Sequence, residues 1–461
     1  MTAPAAVLDR ARPPAPGPLR PFHFPAVQRA TLANGLQVLV AERHAFPLVT
    51  IDLVIPAGGL SETEDRAGLS SFTSGLLESG AGERDAAAIA ERVDELGLVL
   101  DSTSSWDNTL VGFTGLRARA DEAMQVTADL VMRPTFPEHE VQRIRDERLA
   151  SLAARRADPS GLADELATKF IFPEAHPFSR RLSGSAETLS TLARADTAAF
   201  HESHFRPGGA RLCAGGDLTL DEVVRLAEKH FGGWTGTVPP PRAPETHNRL
   251  HETTILLADR PGAVQSEVRV GHVGVPRTTD DFFAVTVLNA MLGGTFSSRL
   301  NLNLRERLGY TYSVSSSFGM RRLPGTFHVG GAIQVEGTAH SVSEILRDMR
   351  TLQEELVPED EIDNARSYLA GIFPLGMETT EGIAGKLSTI ATFDLPDDYY
   401  QTYRDRLVAV SREEVRETAR RRLMPDRAAV VIVGDAARLR EPLEALGVGP
   451  VQVVDPAHLL R

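Results

Sequence analysis

A chain of 461 residues exceeds one ordinary core, so two or more domains are expected. A hydrophobic content of 42% and a charged content of 24% are those of a globular protein, and no apolar run is long enough to span a bilayer. The net charge of −13 argues against nucleic acid or an anionic membrane as partner, and one cysteine, Cys213, excludes an internal disulfide and a thiolate metal cluster.

The first residues, MTAPAAVLDRARPPAPGPLRPF, carry no apolar run behind their charges, which argues against a secretory signal and leaves the cytoplasm as the default location. Their Pro and Ala content predicts an extended or disordered arm over 1–22. A first domain is assigned to 23–234. Residues 29–57 alternate, and Asn34-Gly35 between two apolar runs signals a hairpin. Helices are predicted over 67–77 and 86–96, the second closed by Gly97, then strands over 99–105 and 109–116. Helices over 120–132 and 137–156 and a helix-rich passage over 162–204 precede a strand, 210–215, and a helix, 220–231. Residues 235–248, TGTVPPPRAPETHN, hold four prolines and no periodicity, and read as a linker.

The second domain, 249–461, is read with strands over 251–258 and 267–275, a helix over 282–292, a strand over 325–333 and helices over 341–355 and 359–373. Between the first helix and that strand lies LGGTFSSRLNLNLRERLGYTYSV, residues 292–314. Leu300, Leu304 and Leu308 mark one helical face, Gly309 breaks the helix, and residues 310–314 alternate like a strand. Arg305 then sits on a helix and Tyr312 on the strand after it, where guanidinium and phenol could both donate to one oxyanion or carboxylate. Spacing alone favours the plainer assignment, a surface ion pair for Arg305 and a half-buried sheet position for Tyr312.

The two halves repeat one order. FRPGGARLCAGGDLTLDEVVRLAEKHFG (205–232) parallels LMPDRAAVVIVGDAARLREPLEALG (423–447): a Pro-led turn, a buried strand, Gly-Asp, a helix. Pro137-Glu-His-Glu and Pro358-Glu-Asp-Glu each open a helix with acids in the first turn, where the dipole favours them. The fold class is therefore α+β: two homologous domains, each an antiparallel-rich sheet flanked by helices. No nucleophile elbow is visible at Gly-Leu-Ser-Ser-Phe, and His201-x-x-His204 reads as a helix C-terminal feature.

Taken in order, LANGLQVLV (32–40), AGGLSETEDRAGLSSF (57–72), HPFSRRLSGSAETL (176–189), FRPGGARLCAGGDL and LGGTFSSRL…LRERLGYTYSV resemble the pitrilysin/insulinase family of inverted-motif zinc peptidases. The resemblance is to the bacterial two-domain subunits similar to mitochondrial processing peptidase. It implies half of a clam-shell that encloses a peptide, with zinc held by His-x-x-Glu-His and a distant Glu in the N-terminal domain of the active subunit. Aligned on Gly68-Leu69, that motif falls on Ser71, Phe72, Thr73, Ser74 and Gly75, and the distant ligand falls near Ser151. Serine and glycine side chains there supply neither ligands nor base. By contrast, the family's Arg and Tyr seven positions apart match Arg305 and Tyr312, which the resemblance implies bind substrate and stabilise the oxyanion. The implied chain is a non-zinc subunit, inactive alone and without a cofactor of its own. Its expected partner is a homologous subunit carrying His-x-x-Glu-His and zinc, its substrate a peptide added to an edge strand of the first domain. Self-pairing of the isolated chain stays open, and the alternative is an inactive peptide-binding or scaffold homologue.

Overall fold

The structure, a computed structural model, describes Gly17 and residues 20–456. Most of the expected arm over 1–22 lies outside the described residues. At its inner end Phe22 packs edge-on against Phe373, ring centroids 5.7 Å apart, and Phe24 is buried against Tyr400.

Strands β1 (Val27–Thr31), β2 (Gln37–Glu42) and β3 (Leu48–Ile55) come first, β1 and β2 joined by the turn at Asn34-Gly35. A small hairpin, β4 (Gly80–Ala81) with β5 (Arg84–Asp85), separates helices Leu69–Leu76 and Ala86–Leu96. The second helix begins where the Asp85 carboxylate accepts from Ala88 N at 2.9 Å and ends where Gly97 turns left-handed, φ +63°. β6 (Val99–Ser104), β7 (Thr109–Leu116) and β8 (Arg211–Gly216) complete a six-stranded sheet, β1-β2-β8-β3-β7-β6, antiparallel except between β2 and β8.

The second sheet is built from β9 (Thr254–Asp259), β10 (Gln265–Val273), β11 (Val314–Gly319), β12 (Thr326–Gln334), β13 (Ala429–Gly434) and β14 (Val451–Val454). Its order, β14-β9-β13-β10-β12-β11, repeats five positions of the first sheet, with the parallel pair β9–β13 where β2–β8 stands. That is the duplication expressed in backbone hydrogen bonds. The sixth strand differs: β1 joins its sheet antiparallel, β14 joins parallel.

Strand β3 shows how the layers form. Ile51, Leu53 and Ile55 face helices of their own half, among them Leu69–Leu76, Ala120–Met132 and Leu220–Phe231. Thr50, Asp52 and Val54, on the other side of the pleat, meet a helix from the other half, Thr380–Phe393. Thr50 Oγ1 donates to Thr380 Oγ1 at 2.9 Å and Ser388 Oγ to Asp52 Oδ2 at 3.2 Å. The exchange is reciprocal. Helix Pro159–Ile171 leaves the first half and lays Leu162, Leu166 and Ile171 on β9, β10 and β13, while Arg269 Nε donates to Asp164 Oδ1 at 2.7 Å. Glycines permit both approaches: a Cβ on Gly215 would lie 2.9 Å from Ala384 N, and one on Gly271 2.8 Å from Ile171 Cδ1. Each half of the chain thus lends one helix to the other's sheet.

Candidate functional site

Helix Leu69–Leu76 carries Ser71, Ser74 and Gly75, the positions where metal ligands and base are expected. Glu62 caps it: its carboxylate accepts from Gly68 N at 3.0 Å and Ser70 N at 2.7 Å, and burial pushes its pKa up to about 7. Ser71 Oγ donates to Gly68 O and Leu182 O, and accepts from Arg148 Nη1 at 2.9 Å; Arg148 Nη2 donates to Ser71 O at 2.6 Å. Ser74 and Ser102 exchange hydroxyl-to-carbonyl bonds of 3.1 and 2.9 Å, which fasten the helix to β6. Gly75 leaves room for Arg148: a Cβ there would lie 2.7 Å from Arg148 Nη2.

Arg148 lies on helix Glu138–Ala157, the element expected to bring the third ligand. Ser151 on that helix is exposed, and Leu152 is the residue turned into the core. That helix therefore turns a guanidinium toward Ser71 and Gly75, and the expected ligand position, Ser151, lies at the surface. The donor set does not fit zinc: hydroxyls already spent on backbone carbonyls, a glycine, and a cation bonded to Ser71. Among the described residues no group of three or more His, Cys, Asp or Glu could hold a metal ion. Glu78, nearby in sequence, is pushed up by burial and by Asp101 rather than by any ligating arrangement.

The stretch that carries Arg305 departs from its expected form. Residues Ala290–Gly294 and Asn301–Arg307 wind as π-helix, with Leu308 N donating to Asn303 O at 3.0 Å, five residues back, and Tyr310 N closing the end of the turn on Leu304 O at 2.9 Å. Leu300 and Leu304 still face the core, while Leu308 is half-buried. The strand begins only at Val314, so residues 310–313 are not part of it. Gly309 turns left-handed at φ +68°, and Thr311 Oγ1 donates to Ala332 O at 2.7 Å, which holds this crossing segment onto β12.

Tyr312 is consequently 90% exposed instead of half-buried in a sheet. Its ring edges a cleft of about 430 Å³ with Ser160, Asp164, Glu267, Arg269 and His328. The Arg305 guanidinium lies 4.2 Å over the exposed ring of Phe296 and 3.5 Å from Glu306. Neither Arg305 nor Tyr312 spends its side chain on a hydrogen bond among the described residues, and none joins the two. Their donors stay available to a ligand.

The remaining histidine pair is internal. His201 Nε2 bonds Val131 O at 2.7 Å, His204 Nδ1 bonds Phe200 O at 3.2 Å, and burial lowers the pKa of both. Cys213 is buried in β8 with its thiol pushed up to about 12. Sequence reasoning missed Arg148, whose only signal is its place one turn before Ser151 on a shared helix face. It also left unassigned the helix Thr380–Phe393.

Two stacked, duplicated units, with a helix at 69–76 in the first and the Arg305–Tyr312 stretch in the second, define a two-domain α+β protein. The sequence profile described as insulinase (peptidase family M16) matches residues 37–172, and that of the peptidase M16 inactive domain matches 191–369. The chain belongs to the M16 insulinase family. An uncharacterized zinc protease of Mycobacterium tuberculosis is 27% identical over 375 residues, covering 81% of this chain and 85% of the relative. A Bacillus subtilis relative, also described as an uncharacterized zinc protease, is 25% identical over 77% of this chain and 85% of its own. The crystal structure of a peptidase M16 inactive domain from Pseudomonas fluorescens matches with a TM-score of 0.83 at 24% identity, covering 89% of this chain and 98% of that one. A protease from Helicobacter pylori matches with a TM-score of 0.81 at 18% identity, over 89% of this chain and 100% of that one. At these identities the two structures attest the fold. No helix among the described residues is long and apolar enough to cross a membrane.

Proposed function

We propose that this chain is the non-zinc subunit of a heterodimeric zinc metalloendopeptidase that acts on peptides or unfolded protein segments. One contrast carries the reading. Arg148 closes off Ser71 and Gly75, and Ser102 takes up Ser74. Tyr312, by contrast, is exposed, and the half-buried Arg305 guanidinium makes no hydrogen bond among the described residues, only a 3.5 Å ion pair with Glu306. A homologous partner carrying His-x-x-Glu-His would supply zinc, its ligands and the base. This chain would close the chamber and direct the Arg305 guanidinium and Tyr312 hydroxyl at the substrate carbonyl, where they stabilise developing negative charge. Of the two outer strands of the first sheet, β1 and β6, the reading assigns β6 to strand addition, because β6 is the edge fastened to helix Leu69–Leu76 through Ser74 and Ser102.

The test is hydrolysis of a quenched fluorescent peptide by this chain, by a homologue carrying His-x-x-Glu-His, and by their mixture. Activity in the mixture only, lost with chelator, is the expected result. Activity of the isolated chain would refute the reading. Full activity of the homologue alone would reduce this chain to a scaffold or peptide-binding role.

A further inference from the structure

Beside Ser71 lies a cavity of about 410 Å³, walled by helix Glu138–Ala157, the loop at 177–183 and the turn that carries Arg321. Arg148, Arg155, Arg180, Arg181 and Arg321 line it, against two carboxylates, Asp164 and Glu165. Five cations less two anions leave three positive charges in excess, on a chain whose net charge is −13. Both carboxylates already have partners. Asp164 accepts from Arg269 at 2.7 Å; Glu165 accepts from Arg156 at 2.8 Å and lies 3.7 Å from Arg181.

Arg148, Arg180 and Arg321 have no carboxylate within 4.0 Å among the described residues. The Nε and Nη2 of Arg180 and the Nε of Arg181 are buried and make no hydrogen bond there. Buried donors without acceptors are uncommon in folded proteins, and these belong to cations. The Arg321 guanidinium stacks 4.2 Å over Phe178 and 5.3 Å over Trp106, which fixes its plane and leaves its edge donors free. Burial lowers the pKa of Arg148, Arg180 and Arg181, and pushes Arg321 down to about 10. The other charges that act on these groups do not neutralise them: Glu62 and Glu64 face Arg180 along with Arg242, Asp107 faces Arg321, and Glu147 faces Arg148. Asp164 lines both this cavity and the Tyr312 cleft, so the two adjoin.

We propose that this cavity is a carboxylate-binding site, an arginine pocket that takes either the C-terminal carboxylate of a peptide or one of its Asp or Glu side chains. The proposal rests on the reading that the chain binds peptides, and names which peptides. The fork of a guanidinium matches the two oxygens of a carboxylate, and the rings of Trp106 and Phe178 suit the apolar stem that carries it. With the metal positions replaced, the same wall would bind an anion in place of a cation.

The test is fluorescence anisotropy of the full chain with four labelled peptides of one sequence, carrying an internal Glu or Gln and a C-terminal acid or amide. Removing the bound carboxylate should weaken Kd by about tenfold or more, the loss of a charge-assisted hydrogen bond. The Glu/Gln arm identifies a side chain and the acid/amide arm a terminus. Arg180→Gln and Arg321→Met should each erase that preference without changing the affinity for the Gln-amide peptide. Four affinities within about threefold of one another would overturn the carboxylate site and leave the peptide-binding reading intact. Absence of binding by all four overturns it too; whether the peptide-binding reading then falls is decided separately, by whether this chain still stimulates cleavage of the same peptides in the mixture. The peptide arms need no variant, so a misfolded substitution does not blunt the test.

Discussion

The two halves of this chain share five strands in one order, and they differ in what one helical segment of each, Leu69–Leu76 and Asn301–Arg307, does with its polar groups. In the first half, helix Leu69–Leu76 spends the hydroxyls of Ser71 and Ser74 on backbone carbonyls, and Arg148 fills the room that Gly75 leaves. In the second half, the π-wound turn Asn301–Arg307 and the crossing segment after Gly309 leave Tyr312 exposed and Arg305 half-buried over Phe296, with no hydrogen bond to either side chain among the described residues. One helical segment is closed into structure while the other stays open to a ligand. A duplicated fold can lose chemistry in one copy without losing shape, because the sheet order depends on buried strands and the chemistry on a few side chains.

The strongest way to break that contrast is Arg305→Ala in the complex with a zinc-bearing homologue. We expect kcat to fall about a hundredfold or more, on the order of 2–4 kcal/mol, with Tm unchanged. An unaltered rate would remove Arg305 from the site. Next in size is Gly75→His. Its Cβ alone would meet Arg148 Nη2 at 2.7 Å, so the guanidinium must swing away and give up its bonds to Ser71, which should cost about 1–2 kcal/mol in denaturant unfolding, and the purified variant should carry no stoichiometric zinc by elemental analysis.

Asp52 sharpens the comparison on the side of stability. It is buried against the exchanged helix, and burial raises its pKa to about 6 from 3.8. A raised carboxyl pKa means that the folded state holds its proton where the unfolded chain has released it. This contribution is present below the unfolded pKa and is lost as pH climbs from about 4 to about 6. Asp52→Asn should therefore stabilise the protein at pH 8 by about 1–3 kcal/mol and have little effect at pH 4. A Tm difference independent of pH would show that Asp52 does not titrate in that window. Phe296→Ala is a smaller change, about 0.5–1 kcal/mol, since the Arg305 stack is solvent-exposed; it should appear as a modest rise in KM. The smallest expected effect is none: chelator should leave the Tm of the isolated chain where it was, and a drop would reveal a structural metal.

Much of this was written in local pattern. Asp85 and Gly97 bound a helix that the sequence predicts residue for residue, Ala86–Leu96, because cap and stop are chemical properties of single residues. The repeated strand–Gly-Asp–helix unit announced the duplication, and serine and glycine at 71 and 75, where the family resemblance implies histidines, could be read directly. What the sequence could not settle depended on partners distant along the chain. The π winding and the late start of β11 follow from Thr311 reaching Ala332 and Asn301 reaching Val314, so the alternation over 310–314 misled. Helix Thr380–Phe393 buries its apolar residues against β2, β3 and β8, more than 160 residues earlier in the chain, and nothing in its own periodicity names that surface. Arg148 over Ser71 and the convergence of Arg180, Arg181 and Arg321 exist only once loop, helix and turn have packed together. Periodicity and caps act over a few residues and can be read along the chain. Burial, exposure and charge balance are sums over everything that packs nearby, and only the tertiary structure assembles them.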